Sequence, residues 1–307
     1  MTTEASHSKA KKRGVFWGMA ALISAIVLFS TIEIVSKNIA GKCNIDSYMM
    51  VFLRFFGTGL VLLSLGLPGY LRKGGTLGLH DWKNFIMNGL IGITISLSFF
   101  HIAINMFANA SSSAVVFSAN AVFAIVIARF MNHEPWAAHK WAALILALGG
   151  ISLFIFEKGT PTVEALKAIL VMSIAALGFA FSVCLTRKVV NKYGATFFMG
   201  ISSLLGSLFI LPMALARLEG NLADEILKAW PELLYIVLIG TALAYLLYYI
   251  GLKRISAFVA SMAFFLKPGL ACILAWMIRG EKMNPWTFSG TLVVFMALCL
   301  TLINNRK

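Results

Sequence analysis

Residues 253–268 read KRISAFVASMAFFLKP, and 147 positions earlier residues 106–121 read MFANASSSAVVFSANA. Laid over one another they pair Ala110 with Ala257, Phe117 with Phe264 and Asn120 with Lys267. The same offset carries Glu134 onto Glu281, and each Glu leads into a Pro-Trp: Glu134-Pro135-Trp136 in the first case, Glu281-Lys282-Met283-Asn284-Pro285-Trp286 in the second. Self-similarity at such an offset marks a chain made of two related halves.

Outward from these segments the chain resolves into apolar runs. A bilayer core about 30 Å thick needs around 20 apolar residues per helix. Ten runs meet that need, at approximately 14–36, 46–67, 83–104, 110–131, 137–156, 164–186, 194–215, 231–252, 256–279 and 285–304. Composition agrees: 60% of the 307 residues are hydrophobic and 12% are charged, about half the charged fraction of a soluble domain. The first run follows Lys9, Lys11, Lys12 and Arg13. It is longer than a signal-peptide core and lacks a small-x-small cleavage site, so it is expected to stay as an anchor. The expected fold is all-α integral membrane, with a tail at 1–13, one five-helix unit at 14–156 and a second at 164–304. No connection is long enough for a soluble domain, so function is expected inside the bundle.

Orientation follows from Lys and Arg, which are retained on the cytoplasmic side. With the amino terminus inside, 16 of the 26 basic residues fall on the cytoplasmic side and eight outside, beside eight of the 12 acids. Both termini are therefore placed in the cytoplasm, of a cell whose inner membrane holds the protein. Five helices per half is an odd number, so the second half is inverted relative to the first. The net charge of +14 then reads as an orientation signal, not as a nucleic-acid surface.

Ten helices in a five-plus-five inverted repeat, with Ser256-Ala257, Phe264-Phe265-Leu266-Lys267-Pro268 and Gly280-Glu281 in the ninth, resemble the drug/metabolite transporter superfamily, EamA type. The resemblance covers the whole chain. Its most specific mark is a Pro thirteen residues before a Glu, here Pro268 and Glu281. The first half departs from it, with Ala121 in place of Pro268 and His133 in place of Gly280, so the helix break is read at Pro268. The resemblance implies a substrate cavity between the halves, alternating access, and a solute such as an amino acid or related metabolite, moved outward.

Ionisable residues within spans cost roughly 2.5–3.5 kcal/mol each on insertion scales and are candidate functional groups. Lys267 lies near the centre of the ninth run, too deep to snorkel, and Pro268 removes a backbone donor beside it. A cation there suits an anionic group of a solute, or a neighbouring carbonyl. Asn120, its repeat mate, offers an amide to a ligand or to another helix. Arg54 and Glu33 are expected near the same surface; Glu33 has Arg54 or Lys37 as possible partners, the latter at the favourable i,i+4 spacing. An unpaired Arg54 would be a second anion-binding group. His101 and its mate Tyr248 are candidates for binding or gating, and His101 for proton exchange. Tyr245 and Tyr249, on one face, read as interface anchors. Phe179, Phe264 and Phe265 are cavity candidates by depth. Trp17, Trp82, Trp136, Trp141, Trp230 and Trp286 fall at span ends, where aromatic belts form.

Other function classes lack their marks. There is no GxxxxGK[ST] for a nucleotide-driven pump, no HExxH or GxSxG for an intramembrane enzyme, and no ring of like charges for a channel. The four cysteines show neither CxxC nor zinc-ligand spacing. The expectation is a secondary transporter without cofactor or metal, whose partners are the lipid bilayer and a small anionic or zwitterionic solute, with a drug-like or cationic metabolite as the alternative.

Overall fold

The computed structural model describes residues 2–131, 138–254 and 266–300. Eight of its helices are long and apolar enough to cross a membrane: α1 (Val15–Lys42), α2 (Ser47–Leu71), α3 (Leu79–Met106), α4 (Ala110–Met131), α5 (His139–Phe156), α6 (Val163–Tyr193), α7 (Ala195–Ala216) and α8 (Trp230–Gly251). Two more follow in the expected ninth and tenth runs, α9 (Leu266–Arg279) and α10 (Pro285–Leu300). No strand occurs among the described residues. In a bilayer only structures that satisfy their own backbone hydrogen bonds can span, and the chain meets that condition with helices alone. It is an all-α, multi-pass membrane protein.

Polar residues at the breaks set the helix ends. The Asp46 carboxylate accepts from Tyr48 N at 2.9 Å to start α2, and the Thr162 hydroxyl accepts from Ala165 N at 3.1 Å to start α6. Gly194, at φ 79°, takes the left-handed turn that reverses the chain between α6 and α7.

The packing partners exchange between the halves. α1 packs on α8 and α6 on α3; α2 packs on α7, α4 on α9 and α5 on α10. Under the 147-residue offset each of the first two contacts is the other's counterpart, and the last three map onto themselves. α2 and α7 approach most closely through glycine: a Cβ on Gly66 would lie 2.6 Å from Phe197 N, and one on Gly200 2.6 Å from Leu63 N. Small residues let apolar helices gain van der Waals contact where no hydrophobic force drives them together. Gly18, near the start of α1, packs inside the chain, its carbonyl 3.1 Å from where a Cβ on Gly251 would sit.

Among the described residues five of the ten helices are irregular, α5 through a closing 3-10 turn at Leu153–Phe156. α1 is interrupted at Thr31 and α4 at Ala119, while α3 and α8 each contain a π-helical stretch, Asn88–Ile95 and Tyr235–Leu243. The interruption of α4 needs no proline, so the first half breaks its central helix although Ala121 replaces Pro268. Pro268 itself is buried within α9. The aromatic reading divides. Trp17, Trp82, Trp141, Trp230 and Trp286 are exposed at helix ends, as expected. Tyr245 and Tyr249 are buried instead, stacked with centroids 6.0 Å apart, because this face of α8 is covered by α1: Phe29 meets Tyr245 edge-on at 5.2 Å. Trp136, Phe264 and Phe265 lie outside the described residues.

Candidate functional site

Hydroxyl chemistry breaks α1. Ser30 Oγ donates to Ile26 O at 2.8 Å and Thr31 Oγ1 to Leu28 O at 2.7 Å, bonds that compete with the helical ladder and bend it. The helix restarts at Ile32, which brings Glu33 into the first turn of its second segment. Glu33 is fully buried. Its partner is neither Arg54 nor Lys37: Lys267 Nζ donates to Glu33 Oε1 at 2.9 Å, across 234 residues of sequence. Lys37 turns away and donates to Phe107 O at 2.6 Å. The carboxylate that meets Lys267 is therefore the chain's own. Among the described residues no donor reaches Glu33 Oε2, nor does Ser36 Oγ, one turn on, find a partner.

The break in α4 supplies an aromatic wall. Ser118 Oγ donates to Ala114 O at 2.7 Å, and Asn120 Nδ2 donates to Phe117 O at 2.6 Å. The Asn120 amide is thus engaged with a carbonyl of its own helix at the break. Phe117 presents its ring to Lys267, with Nζ 5.0 Å from the centroid, a cation–π contact that adds to the ion pair. Phe100 and Phe179 flank Phe117 at 4.6 and 5.3 Å, and Phe100 meets the His101 ring edge-on at 5.4 Å.

Arg54 occupies the other pole. It is 4% exposed and donates through Nε to Thr241 Oγ1 at 2.8 Å, while Nη1 lies 3.3 Å from His101 Nε2. Its Cζ sits 4.8 Å from the Phe55 ring centroid. A guanidinium only donates, so His101 Nε2 accepts and its ring carries its proton on Nδ1, as a neutral imidazole. Among the described residues no carboxylate forms an ion pair with Arg54. Lys267 and Glu33 cancel, so the net positive charge of the buried set rests on Arg54. Tyr248, the mate of His101, is half-buried, its ring 6.5 Å from Phe29 and 5.6 Å from Tyr249.

The structure thus brings together Glu33, Lys267, Phe117, Phe179, His101 and Arg54, while Tyr248 packs with the α1 and α8 aromatics. Sequence reasoning did not find Thr241 or Ser36 and used Phe117 only as a repeat marker. A signal for Thr241 was present, since Thr94 stands 147 residues earlier in the other π-helical stretch.

At the end of the bundle where α1, α5 and α9 finish, two carboxylates hold the start of α4. Glu157 accepts from Ala108 N at 3.0 Å and Asn109 N at 2.9 Å. Glu281 accepts from Ala110 N at 2.9 Å, Ser111 N at 3.1 Å and Ser111 Oγ at 2.9 Å. Carboxylates suit a helix amino terminus, where N–H groups are free and the dipole is positive. Arg279 ties Glu281 to Asn38 of α1. At the opposite end Asp81 of α3 accepts from Lys192 and from Tyr193 Oη of α6. Each cluster crosses between the two halves.

Known proteins place this arrangement. The profile of the EamA-like transporter family matches twice, over residues 16–156 and 166–303. An uncharacterized transporter of Clostridium kluyveri is 26% identical over 295 residues, covering 94% of each chain. An S-adenosylmethionine uptake transporter of Rickettsia prowazekii is 21% identical over 296 residues, covering 96% of this chain and 94% of the other. A solved structure superimposes with a TM-score of 0.64 at 14% identity, covering 96% of this chain and 99% of the other, which shows a shared fold. With both halves matched, the chain belongs to the EamA-like transporter family.

Proposed function

We propose that this membrane transporter moves a small organic solute carrying an anionic group, an amino acid or related zwitterion, by alternating access between two inverted five-helix halves. The termini lie in the cytoplasm and the transporter works as an exporter in the inner membrane. The observation that carries the reading is Arg54: a buried guanidinium whose recorded partners, Thr241 and neutral His101, bear no negative charge. A buried cation is costly unless paired, and a solute carboxylate fits its fork in a bidentate manner. Glu33 Oε2 and Ser36 Oγ, without a partner among the described residues, favour a solute that also brings a donor such as an ammonium group. The exchange of packing partners between the halves supports the inverted repeat, and the clusters at opposite ends, Glu281 with Arg279 and Asp81 with Lys192, supply contacts that open in turn.

The test is a thermal-shift screen of purified protein against amino acids, organic acids and organic cations, followed by transport in both directions with the stabilising compound. A ligand that binds only the folded state raises the apparent melting temperature. Carboxylate compounds should stabilise the wild type and lose that effect in Arg54→Gln. Stabilisation by cations alone, unchanged in Arg54→Gln, would reverse the reading. The Rickettsia relative is named for uptake, and net movement inward alone would overturn the export direction.

A further inference from the structure

The π-helical stretches of α3 and α8 stand in register. Asn88–Ile95 and Tyr235–Leu243 begin 147 residues apart, the offset of the repeat, and each carries one threonine at the same position, Thr94 and Thr241. In an α-helix a threonine hydroxyl reaches the carbonyl three or four residues back. Here the carbonyl five back comes within reach: Thr241 Oγ1 donates to Ile236 O at 2.6 Å, and Thr94 Oγ1 lies 3.2 Å from Gly89 O. In α8 the wide turn fixes the hydroxyl. The second contact differs. Thr94 gives its one proton to the nearer carbonyl, Gly206 O of α7 at 2.8 Å, whereas Thr241 Oγ1 receives Arg54 Nε at 2.8 Å. Thr241 has one proton and gives it to Ile236, so it meets Arg54 as an acceptor, the only role a guanidinium can use. One turn along α2, Thr58 Oγ1 donates to Val237 O of the same stretch at 3.2 Å, so α2 is tied to the π-helical turn at two levels.

We propose that Thr241 is a positioning residue: the π-helical turn of α8 fixes its hydroxyl, the hydroxyl fixes Nε of Arg54, and the remaining fork is thereby aimed at the solute. α3 keeps the same device for packing alone. The role in transport rests on Arg54 being the anionic anchor; the role in holding Arg54 does not. π-Helical turns recur at functional sites because they re-aim side chains without ending the helix.

Two measurements keep these apart. In full-length protein with 15N-labelled arginine in nanodiscs, the Arg54 Nε–H signal is assigned by its loss in Arg54→Lys, and its solvent exchange is followed. Thr241→Val should speed that exchange by about tenfold or more, the loss of one net hydrogen bond; Thr241→Ser should leave it within about threefold, and so should Thr94→Val. Unchanged exchange in Thr241→Val overturns the proposal, whatever the solute. If Thr241→Val does not assemble, Thr241→Ala against Thr241→Ser gives the same comparison. In the second arm, proteoliposomes exchange a mixture of 14C-labelled L-amino acids. Thr241→Val should raise the half-saturating concentration about tenfold with the maximal rate held within about twofold, and Thr241→Ser should restore it. An equal loss in both variants, or a fall in maximal rate alone, overturns the positioning role in transport. Transport unaffected by Arg54→Gln sinks the anionic anchor, while the exchange experiment still decides what holds Arg54.

Discussion

The Glu33–Lys267 pair makes a quantitative demand on stability. It is 2.9 Å long, with the two side chains 0% and 7% exposed, and it joins α1 to α9. Glu33→Gln leaves the Lys267 ammonium buried without a counter-ion, and Lys267→Met leaves the Glu33 carboxylate in the same position. Removing one partner of a buried pair costs about 3–5 kcal/mol, whereas replacing both with neutral groups of similar size is often close to neutral. At about 2–4 °C per kcal/mol for a chain of this size, each single variant should melt roughly 6–20 °C below wild type. The double variant Glu33→Gln/Lys267→Met should recover most of that loss. The assay is a double-mutant cycle of melting temperatures in detergent, read by intrinsic fluorescence, with size-exclusion elution as a check on assembly. Additive losses in the double variant would show that the two side chains are not energetically paired and would refute the reasoning. The double variant also tests the division of labour within the site. Because Arg54 keeps the net charge, its dependence on carboxylate solutes should persist in the charge-free double background.

Three further outcomes follow from particular contacts. Gly200→Ala places a Cβ 2.6 Å from the backbone of Leu63 and should lower stability by about 1–3 kcal/mol, seen as a melting temperature several degrees down; the same change at Gly269, where nothing lies within 4 Å, should not. Glu281→Gln weakens the carboxylate cap on Ala110 and Ser111 and should cost about 1–2 kcal/mol, read in the same melting assay, with faster amide exchange confined to the start of α4; exchange unchanged there would contradict the cap. In the short helix Leu222–Lys228, outside the spans, the Lys228 ammonium first and then Asn44 N hold the Glu225 carboxyl below its usual range. A depressed carboxylate stabilises above its unfolded pKa and loses that contribution as pH falls through the folded value, so the melting difference between wild type and Glu225→Gln should be present at neutral pH and vanish in acid.

Hydropathy located the helices because it measures what lipid requires of a spanning segment. The run read at 194–215 is Ala195–Ala216, and that read at 110–131 is Ala110–Met131. It undershot α6, which extends to Tyr193, seven residues beyond the run read to 186, since a helix may continue past the bilayer into polar surroundings. It could not show the interruptions at Thr31 and Ala119 or the π-helical stretches. Those depend on where single hydroxyl and amide groups send their hydrogen bonds, from Ser30, Thr31, Ser118 and Asn120, and such residues add little to an average over twenty positions. The buried charges were legible as charges, because Glu33, Arg54 and Lys267 stand out in apolar runs. Their partners were not. Local spacing favoured Lys37 for Glu33, but Lys37 can reach a carbonyl at the helix end, whereas Lys267 at mid-depth has no route to water and takes the buried carboxylate. His101 and Arg54 were both named, yet nothing in a linear reading says that one satisfies the other.

The repeat duplicates the scaffold and leaves the charges single. Under the 147-residue offset the π-helical stretches coincide and Thr94 falls on Thr241, but Glu33 falls on Ala180, Arg54 on Ile201, His101 on Tyr248 and Lys267 on Asn120. Every ionisable member of the buried set therefore has an uncharged mate. Had the charges been duplicated with the helices, the interior would hold three charged groups more, each at an insertion cost of a few kcal/mol, and two equivalent sites of opposite direction. With a single set, the solute proposed above would have one orientation relative to the chain, anionic end toward Arg54 and donor end toward Glu33. In the mechanism proposed above, symmetric halves then exchange their contacts around an asymmetric site. The solute keeps its partners while the path to it changes sides, and the energy of holding the anion need not be given up and regained during the transition.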